Sequence, residues 1–182
     1  RELFNEIMHY GSFDRMPVLH WTGWAETMER WYAEGMPRDA NPHQYFSAQP
    51  LWSGLYTNLN LYPAFEEVVL EETNDYRIIR QNDGVVCQDW KHKSCIPHYI
   101  DFTLKDASGW AEYKKRLQPD PARIPADIDQ RITRAEASGL PIEFELSSLM
   151  GWIRNWMGVE NMSYLMYDDP DVYADMVMTI AD

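Results

Sequence analysis

The sequence predicts an α/β fold with a parallel sheet or barrel, and three observations support this. Residues 17–21 form a continuously apolar run of the kind that is buried on both faces of a parallel sheet, and residues 142–146 are interpreted as a second strand of this buried type. Stretches with a helical spacing of apolar residues separate the two runs. A β-rich hairpin, residues 76–90, lies between them in the chain. Strands that alternate with helices are typical of βα units, so we expect the hairpin to lie outside their sheet.

Size, composition and charge restrict the classes of function. The 182-residue chain is 45% hydrophobic and 25% charged, which is ordinary globular composition and sufficient for one substantial core. A net charge of −13 disfavours nucleic acid as a partner, because phosphate binding needs clustered Lys and Arg. No apolar run approaches the about 18–20 residues of a membrane helix. Two cysteines without a disulfide framework favour a reducing, cytoplasmic location.

The first third of the chain is predicted to contain two helices and one strand. Residues 1–10 have a helical pattern, and residues 17–21 form the first strand. A second helix begins near Trp24 and ends at Gly35, since glycine commonly follows a helix. Residues 36–63 carry frequent Pro, Asn and Gly, which predicts loop with a short helical turn.

The predicted hairpin joins residues 76–81 to residues 85–90 through the sequence Asn-Asp-Gly at 82–84. A two-residue turn at the last two of these positions would pair Arg80 with Cys87. The alternation of a strand then places Cys87 and the following odd-numbered residues on one face of the hairpin.

The stretch CQDWKHKSCIPH, residues 87–98, contains both cysteines and two of the five histidines. On an extended strand Cys87 and His92 lie roughly 16 Å apart and on opposite faces. Zinc requires every ligand within about 2.0–2.3 Å of one point. His92, Cys95 and His98 meet only if the chain coils after the strand. We therefore predict no metal site in this stretch.

The second half is predicted to contain several helices and the second strand. Asp106 caps a helix with a shared apolar face, and another helix begins at Ile128 and ends before Gly139. The second strand, residues 142–146, comes next in the chain. Two further helices lie around residues 152–157 and 159–166.

The last helix has strong signals at its start. Asp169 can accept the cap hydrogen bond and Pro170 occupies the favoured first position. The apolar residues after them form one face, which needs a partner layer. Since no later sequence could supply one, we expect the chain to be the front part of a longer protein. The residues of this face are Val172, Tyr173, Met176, Val177 and Ile180.

Four segments occur in a familiar order. They are RELFNEIMHYGSFDRMPVL, FEEVVLEETNDYRIIRQNDGVV, SCIPHYIDFTLKDASGWAEYKKRLQPDPARIP and LPIEFELSSLMGWIRNWMGVENMSYLMYDDPDVYADM. Together they resemble the N-terminal half of the uroporphyrinogen decarboxylase superfamily, which includes the haem-pathway decarboxylase and cobalamin-linked methyltransferases. The resemblance implies a (β/α)8 barrel, which takes about 250 residues. Residues 1–182 are then a single-domain, incomplete barrel with an antiparallel hairpin inserted at about residues 66–95.

The resemblance also indicates which branch of the family this chain matches. The decarboxylase follows its first strand with arginines that bind substrate carboxylates, and the aligned positions here are Thr22 and Glu26. A glutamate repels carboxylates where arginine clamps them. One alignment places Asn58 at the family's essential aspartate. These departures favour a corrinoid-linked methyltransferase, in which zinc activates a substrate thiol and a corrinoid protein is the partner. The resemblance places the zinc ligands in the C-terminal half and no cofactor in this segment.

Active sites of barrels lie at the carboxyl ends of the strands, and these ends nominate the site residues. The candidates are His20, Trp21, Thr22 and Trp24 after the first strand, and Glu145, Ser147 and Ser148 after the second. Glu145, a carboxylate in an apolar run, and His20 are the candidate catalytic groups. The others, with His98 from a family-like loop, are candidates for binding a small-molecule substrate. These candidates also have structural alternatives. His20 could be a core histidine, Glu145 a paired carboxylate, and Trp21 and Trp24 packing residues.

Two other functions are compatible with the sequence. The first is uroporphyrinogen decarboxylation in porphyrin biosynthesis, by the same superfamily. The second belongs to another class, a non-catalytic acidic binding module that holds a partner on its aromatic surface. A closed core would favour the binding module, and a downstream His and two Cys would favour methyl transfer.

Overall fold

The computed structural model describes residues 1–18, 23–146 and 148–182. These residues form a mixed α/β structure with one parallel strand pair and one antiparallel sheet, and they show no closed barrel. The helices are α1 (Glu2–Met8), α2 (Ala25–Ala33), α3 (Pro42–Tyr45), α4 (Ala107–Lys115), α5 (Ile128–Ala137), α6 (Leu149–Asp168) and α7 (Pro170–Ala181). The strands are β1 (Ser53–Leu55), β2 (Val68–Glu72), β3 (Tyr76–Arg80), β4 (Val85–Trp90), β5 (His98–Phe102) and β6 (Ile142–Phe144).

The chain divides into two compact units. The first unit comprises Arg1–Thr57 and Pro125–Glu145, and the second comprises Asn58–Ile124 and Leu146–Asp182. Each unit contains one of the two sheets: β1 and β6 belong to the first, and the antiparallel sheet belongs to the second.

In the first unit β1 and β6 pair in parallel, with Gly54 opposite Glu143. The helix α5 packs against β1. Residues 36–63 were predicted to be loop with a short helical turn; α3 confirms the turn, and β1 corrects the rest of the prediction. Its three residues are shorter than the about 4–8 residues over which strand alternation can be recognised. The predicted first strand at 17–21 falls mostly outside the described residues.

The burial predicted for the second strand is wrong. Phe144 is 50% exposed and Leu146 is 78% exposed, although residues 142–146 were predicted to form a strand that is buried on both faces. The strand ends at Phe144, and its only strand partner in the described residues is β1. The segment IEFEL alternates apolar residues with Glu143 and Glu145, which is not the continuous apolar pattern of a strand that is buried on both faces.

The antiparallel sheet of the second unit has the strand order β2-β3-β4-β5. It contains the predicted hairpin, β3 and β4, and extends it by one strand on each side. The register differs from the prediction by one residue, because Cys87 lies opposite Ile79 rather than Arg80. The loop has three residues, since the Gln81 amide donates to Val85 across it. Gly84 closes this loop with φ +85°, the left-handed conformation typical of three-residue hairpin loops.

The core of the second unit is formed by helices α4, α6 and α7. As predicted, Asp106 caps α4, and its carboxylate accepts from the Gly109 amide at 3.0 Å. Asp169 caps α7 in the same way, with Pro170 at the first position. The apolar face of α7 packs on this core, which corrects the prediction that it lacks a partner layer. The fully buried members of the core include Leu104, Tyr113, Ile153, Met157 and Met176.

Helix α6 is interrupted at Gly158, whose φ of 76° and ψ of 157° are not helical. The two helices predicted around residues 152–157 and 159–166 therefore correspond to the two halves of α6. In the residues that the structure describes, we find no helix both long enough and apolar enough to cross a membrane.

Candidate functional site

The structure accounts for half of the sequence-predicted site residues. Four of the eight candidates lie outside the described residues. They are His20, Trp21, Thr22 and Ser147. The other four divide between the units: Trp24 and Glu145 belong to the first, and His98 and Ser148 belong to the second.

Glu145 lies immediately after β6 and is exposed. The prediction of a buried carboxylate in an apolar strand is therefore wrong. The strand ends one residue earlier, at Phe144, so the side chain after it reaches solvent. Glu145 does lie at the carboxyl end of a parallel strand, as the active-site argument required.

The remaining candidates have local structural roles or are exposed. Trp24 precedes α2 as its N-cap residue, is 53% exposed, and its side chain makes no cap hydrogen bond. The Ser148 hydroxyl accepts the Gly151 amide at 3.0 Å and so caps α6. His98 begins β5 opposite Gln88, with its side chain exposed. A helix cap accounts for Ser148 without any substrate.

Three oxygen-bearing side chains lie at the carboxyl end of the parallel pair. Tyr56 comes directly after β1, Glu143 lies within β6 and Glu145 comes directly after β6. Because the strands are parallel, their carboxyl ends share one edge. The Tyr56 hydroxyl donates to Glu143 Oε2 at 2.9 Å. This bond to Glu143, together with burial and the charges of both glutamates, raises the pKa of Tyr56, so the phenol remains a neutral donor.

The Tyr56 ring folds back over Gly54, so a Cβ at that position would clash with it. Glycine at the strand centre thus permits the contact with Glu143, which is the parallel partner of Gly54. We name Tyr56, Glu143 and Glu145 the strand-end cluster. Sequence reasoning missed Tyr56 and Glu143, because the run SGLY that contains β1 was assigned to a loop. The available signal for this contact was a glycine, Gly54, with an aromatic residue, Tyr56, two positions later.

The cysteine–histidine stretch is part of the antiparallel sheet. Cys87 is fully buried, and burial is the main cause that raises the pKa of its thiol, with smaller contributions from nearby carboxylates. Cys95 is exposed, and the His92 Nε2 lies 3.1 Å from the Asn74 carbonyl oxygen. In the part of the chain that the structure describes, no three His, Cys, Asp or Glu side chains are grouped to hold a metal ion.

Asn58, the position aligned with the family aspartate, belongs to the second unit. Its amide donates to the Arg123 carbonyl at 2.9 Å, and its side-chain oxygen accepts from the Asn60 amide at 3.1 Å. Arg123 in turn donates to the Asn58 carbonyl at 3.1 Å. These bonds join the segment 58–60 to Arg123, so Asn58 has a structural role that an uncharged side chain can fill.

Comparison of the chain with family models, with curated proteins and with solved structures gives no match.

Proposed function

We propose that the chain is part of a uroporphyrinogen decarboxylase-superfamily enzyme of the corrinoid-linked, zinc-dependent methyltransferase branch. The ordered resemblance of four segments supports the family. The parallel pair β1–β6, with α5 against β1, is compatible with part of a (β/α)8 barrel. The antiparallel sheet then corresponds to an insertion within that barrel.

The observation that carries the choice of branch is the charge of the strand-end cluster. It presents two carboxylates and a phenol, and Glu26 is exposed in the first turn of α2 in the same unit. A porphyrinogen carries many carboxylates and needs cations around it, because each charge-assisted hydrogen bond contributes about 1.5–3 kcal/mol. An anionic strand end repels such a substrate but suits a neutral thiol.

The cluster supplies two roles in thiol methylation. Glu145 is exposed at the strand end, where its carboxylate can accept the proton that a bound thiol loses. Tyr56 holds Glu143 in a fixed orientation through its 2.9 Å hydrogen bond. When bound, the corrinoid partner supplies the methyl group that the thiolate sulfur accepts. The described residues alone do not fit a zinc site, so both roles are assigned without one.

The test uses the complete gene product with a methylated corrinoid and a panel of small thiols, and thioether formation is measured. We expect methyl transfer, and we expect Glu145→Gln to lower kcat by about a hundredfold, because general-base catalysis typically contributes that much. Glu66→Gln, an exposed glutamate of the second unit, is the matched control and should retain full activity.

Parallel incubation with uroporphyrinogen, in which released carbon dioxide is measured, decides between the two branches. Turnover there would assign the chain to the decarboxylase branch and overturn the proposal. If neither reaction occurs, the non-catalytic acidic binding module becomes the better interpretation. Methyl transfer that is insensitive to Glu145→Gln would keep the branch but remove Glu145 from the mechanism.

A further inference from the structure

A cleft of about 470 Å³ opens in the second unit where α6 is interrupted. The hairpin loop, β5 and both halves of α6 line it. We name it the Gly158 cleft, and the side chains that matter for its chemistry are Asp83, Tyr99, Phe102, Arg154 and Glu160. Its volume lies within the range of about 300–1,000 Å³ that is typical of small-molecule sites.

The interruption that forms the cleft is specific to glycine. Gly158 combines φ 76° with ψ 157°, a backbone region essentially restricted to glycine. A Cβ at this position would lie 2.7 Å from the Phe102 ring, so the ring occupies the space of the missing side chain. The Asn161 side chain donates to the Met157 carbonyl at 2.8 Å and satisfies an acceptor beside the break. The Phe102 ring and the Asn161 hydrogen bond thus stabilise the interrupted helix at Gly158.

The walls of the cleft are aromatic and apolar. The Tyr99 and Phe102 rings of β5 lie 6.4 Å apart between centroids, with their planes tilted by 35°. Val159 of α6, which is 61% exposed, adds an apolar side chain. Such walls favour a planar ring, and the faces of aromatic rings attract cations.

The charged groups among the described residues of the cleft are two carboxylates and one guanidinium. Asp83 is partly buried, and its Oδ1 accepts the Val85 amide at 3.0 Å. In the described residues Asp83 makes no ion pair, and its carboxylate is stabilised by backbone amides alone. Glu160 adds a second carboxylate. Arg154 is the one cation of the lining in the part of the chain described, and its guanidinium is held by Asn155 Oδ1 at 2.9 Å.

We infer that the Gly158 cleft binds a small planar organic cation, an aromatic or heteroaromatic amine. Its ring lies against Tyr99 and Phe102, and its ammonium group pairs with Asp83. The carboxylate gains the cation that the protein does not supply, and the chain's net charge of −13 attracts cations from solution. This site shares no residue with the strand-end cluster, which belongs to the first unit.

The experiment titrates the purified chain with three probes that share one ring and differ in charge. They are 2-naphthylmethylamine, 2-naphthalenemethanol and 2-naphthoate, and isothermal titration calorimetry gives each Kd. We expect the amine to bind at least about tenfold more tightly than the alcohol, because a charge-assisted hydrogen bond replaces a neutral one. The carboxylate should bind most weakly.

Two variants locate the interaction. Asp83→Asn keeps the acceptor for the Val85 amide, so the loop is preserved, and it should remove the preference for the amine over the alcohol. Asp75→Asn, an exposed aspartate at the other end of the same sheet, is the matched control and should leave the preference unchanged.

Arg154→Met distinguishes the opposite interpretation of the cleft. If the site takes cations, this variant should bind the amine as tightly as the parent or more tightly. Preferred binding of 2-naphthoate that is lost in Arg154→Met would show an anion site and overturn the inference. Equal affinity of all three probes, or none for any, would overturn it as well.

Discussion

Asp83 occupies the middle of the three-residue loop between β3 and β4, where it is partly buried. Burial raises the pKa of its carboxyl group above the ordinary value of 3.8, against the opposing effect of backbone hydrogen bonds. The folded chain therefore holds the protonated form more readily than the unfolded chain does. Because the pKa is higher in the folded state, the free energy of unfolding falls as pH rises through the range in which this carboxyl group loses its proton.

We predict that Asp83→Asn raises the free energy of unfolding at about pH 7, because the amide carries no charge to bury. The gain should shrink as pH falls and vanish near about pH 3, where the aspartate is protonated in both states. Urea unfolding of parent and variant at several pH values measures it. Asp75→Asn is the control, since exposed substitutions usually change stability by less than about 0.5 kcal/mol. A gain in stability that persists at acid pH would show that asparagine is the better residue for this turn, and that the removal of the charge is not the cause.

Single residues were the least predictable part of the candidate site. Glu145 was located correctly at a strand end, but its burial was inferred from an apolar run that continues past the end of the strand. Tyr56 could not be identified, because its contact with Glu143 depends on the pairing of segments about 90 residues apart. Composition carries no information about such a pairing.

Elements with end signals were predicted well. Asp106 and Asp169 each marked the start of a helix, and both cap hydrogen bonds are present. The hairpin at 76–90 was located by its Asn-Asp-Gly loop, but its register was missed by one residue. That sequence suits both a two-residue and a three-residue loop, and only the flanking pairing decides between them. The strand β1, with three residues and no turn signal, was missed.

At the scale of the helix, Gly158 gives the sharpest prediction. Gly158→Ala should destabilise the second unit by about 2–4 kcal/mol, because an alanine strains the backbone and contacts the Phe102 ring. Denaturant unfolding monitored by tryptophan fluorescence measures the change. Ser163→Ala, an exposed position in the second half of α6, is the control and should change stability little.

The sign of the effect makes this prediction decisive. In an uninterrupted helix the same Gly158→Ala change would stabilise the chain by about 1 kcal/mol, because alanine is the better helix former. A stabilised variant would therefore show that α6 is continuous in solution. It would also remove the Gly158 cleft, which exists only because the helix is interrupted there.

At the scale of the whole molecule, the α/β class and the antiparallel hairpin were predictable from the sequence, whereas the division into two units was not. The second unit comprises residues 58–124 and 146–182. In the chain, these two ranges are separated by residues 125–145 of the first unit. The spacing of apolar residues predicts which face of a segment is buried, but it does not predict which distant segment packs against that face. The apolar face of α7 illustrates this, because it packs on α4 and α6, which precede it in the chain.

The net charge of −13 on 182 residues gives a prediction for the molecule as a whole. Like charges repel more strongly in the compact state, and salt screens exposed charges beyond about 8–10 Å. The ion pairs that salt would weaken are mostly exposed, such as Arg38 with Glu29, and contribute little. We therefore expect the free energy of unfolding to rise by about 1 kcal/mol when sodium chloride increases from about 0.02 to about 0.2 M.

Urea unfolding at both salt concentrations tests this, with sodium chloride chosen because sulfate would strengthen apolar burial directly. The control is the same pair of measurements near the isoelectric point of 4.7, where net repulsion is absent and the salt effect should disappear. Stability that falls with salt at neutral pH would mean that attractive pairs outweigh repulsion. The exposed ion pairs would then contribute more to the free energy of unfolding than the repulsion among the excess acidic residues removes.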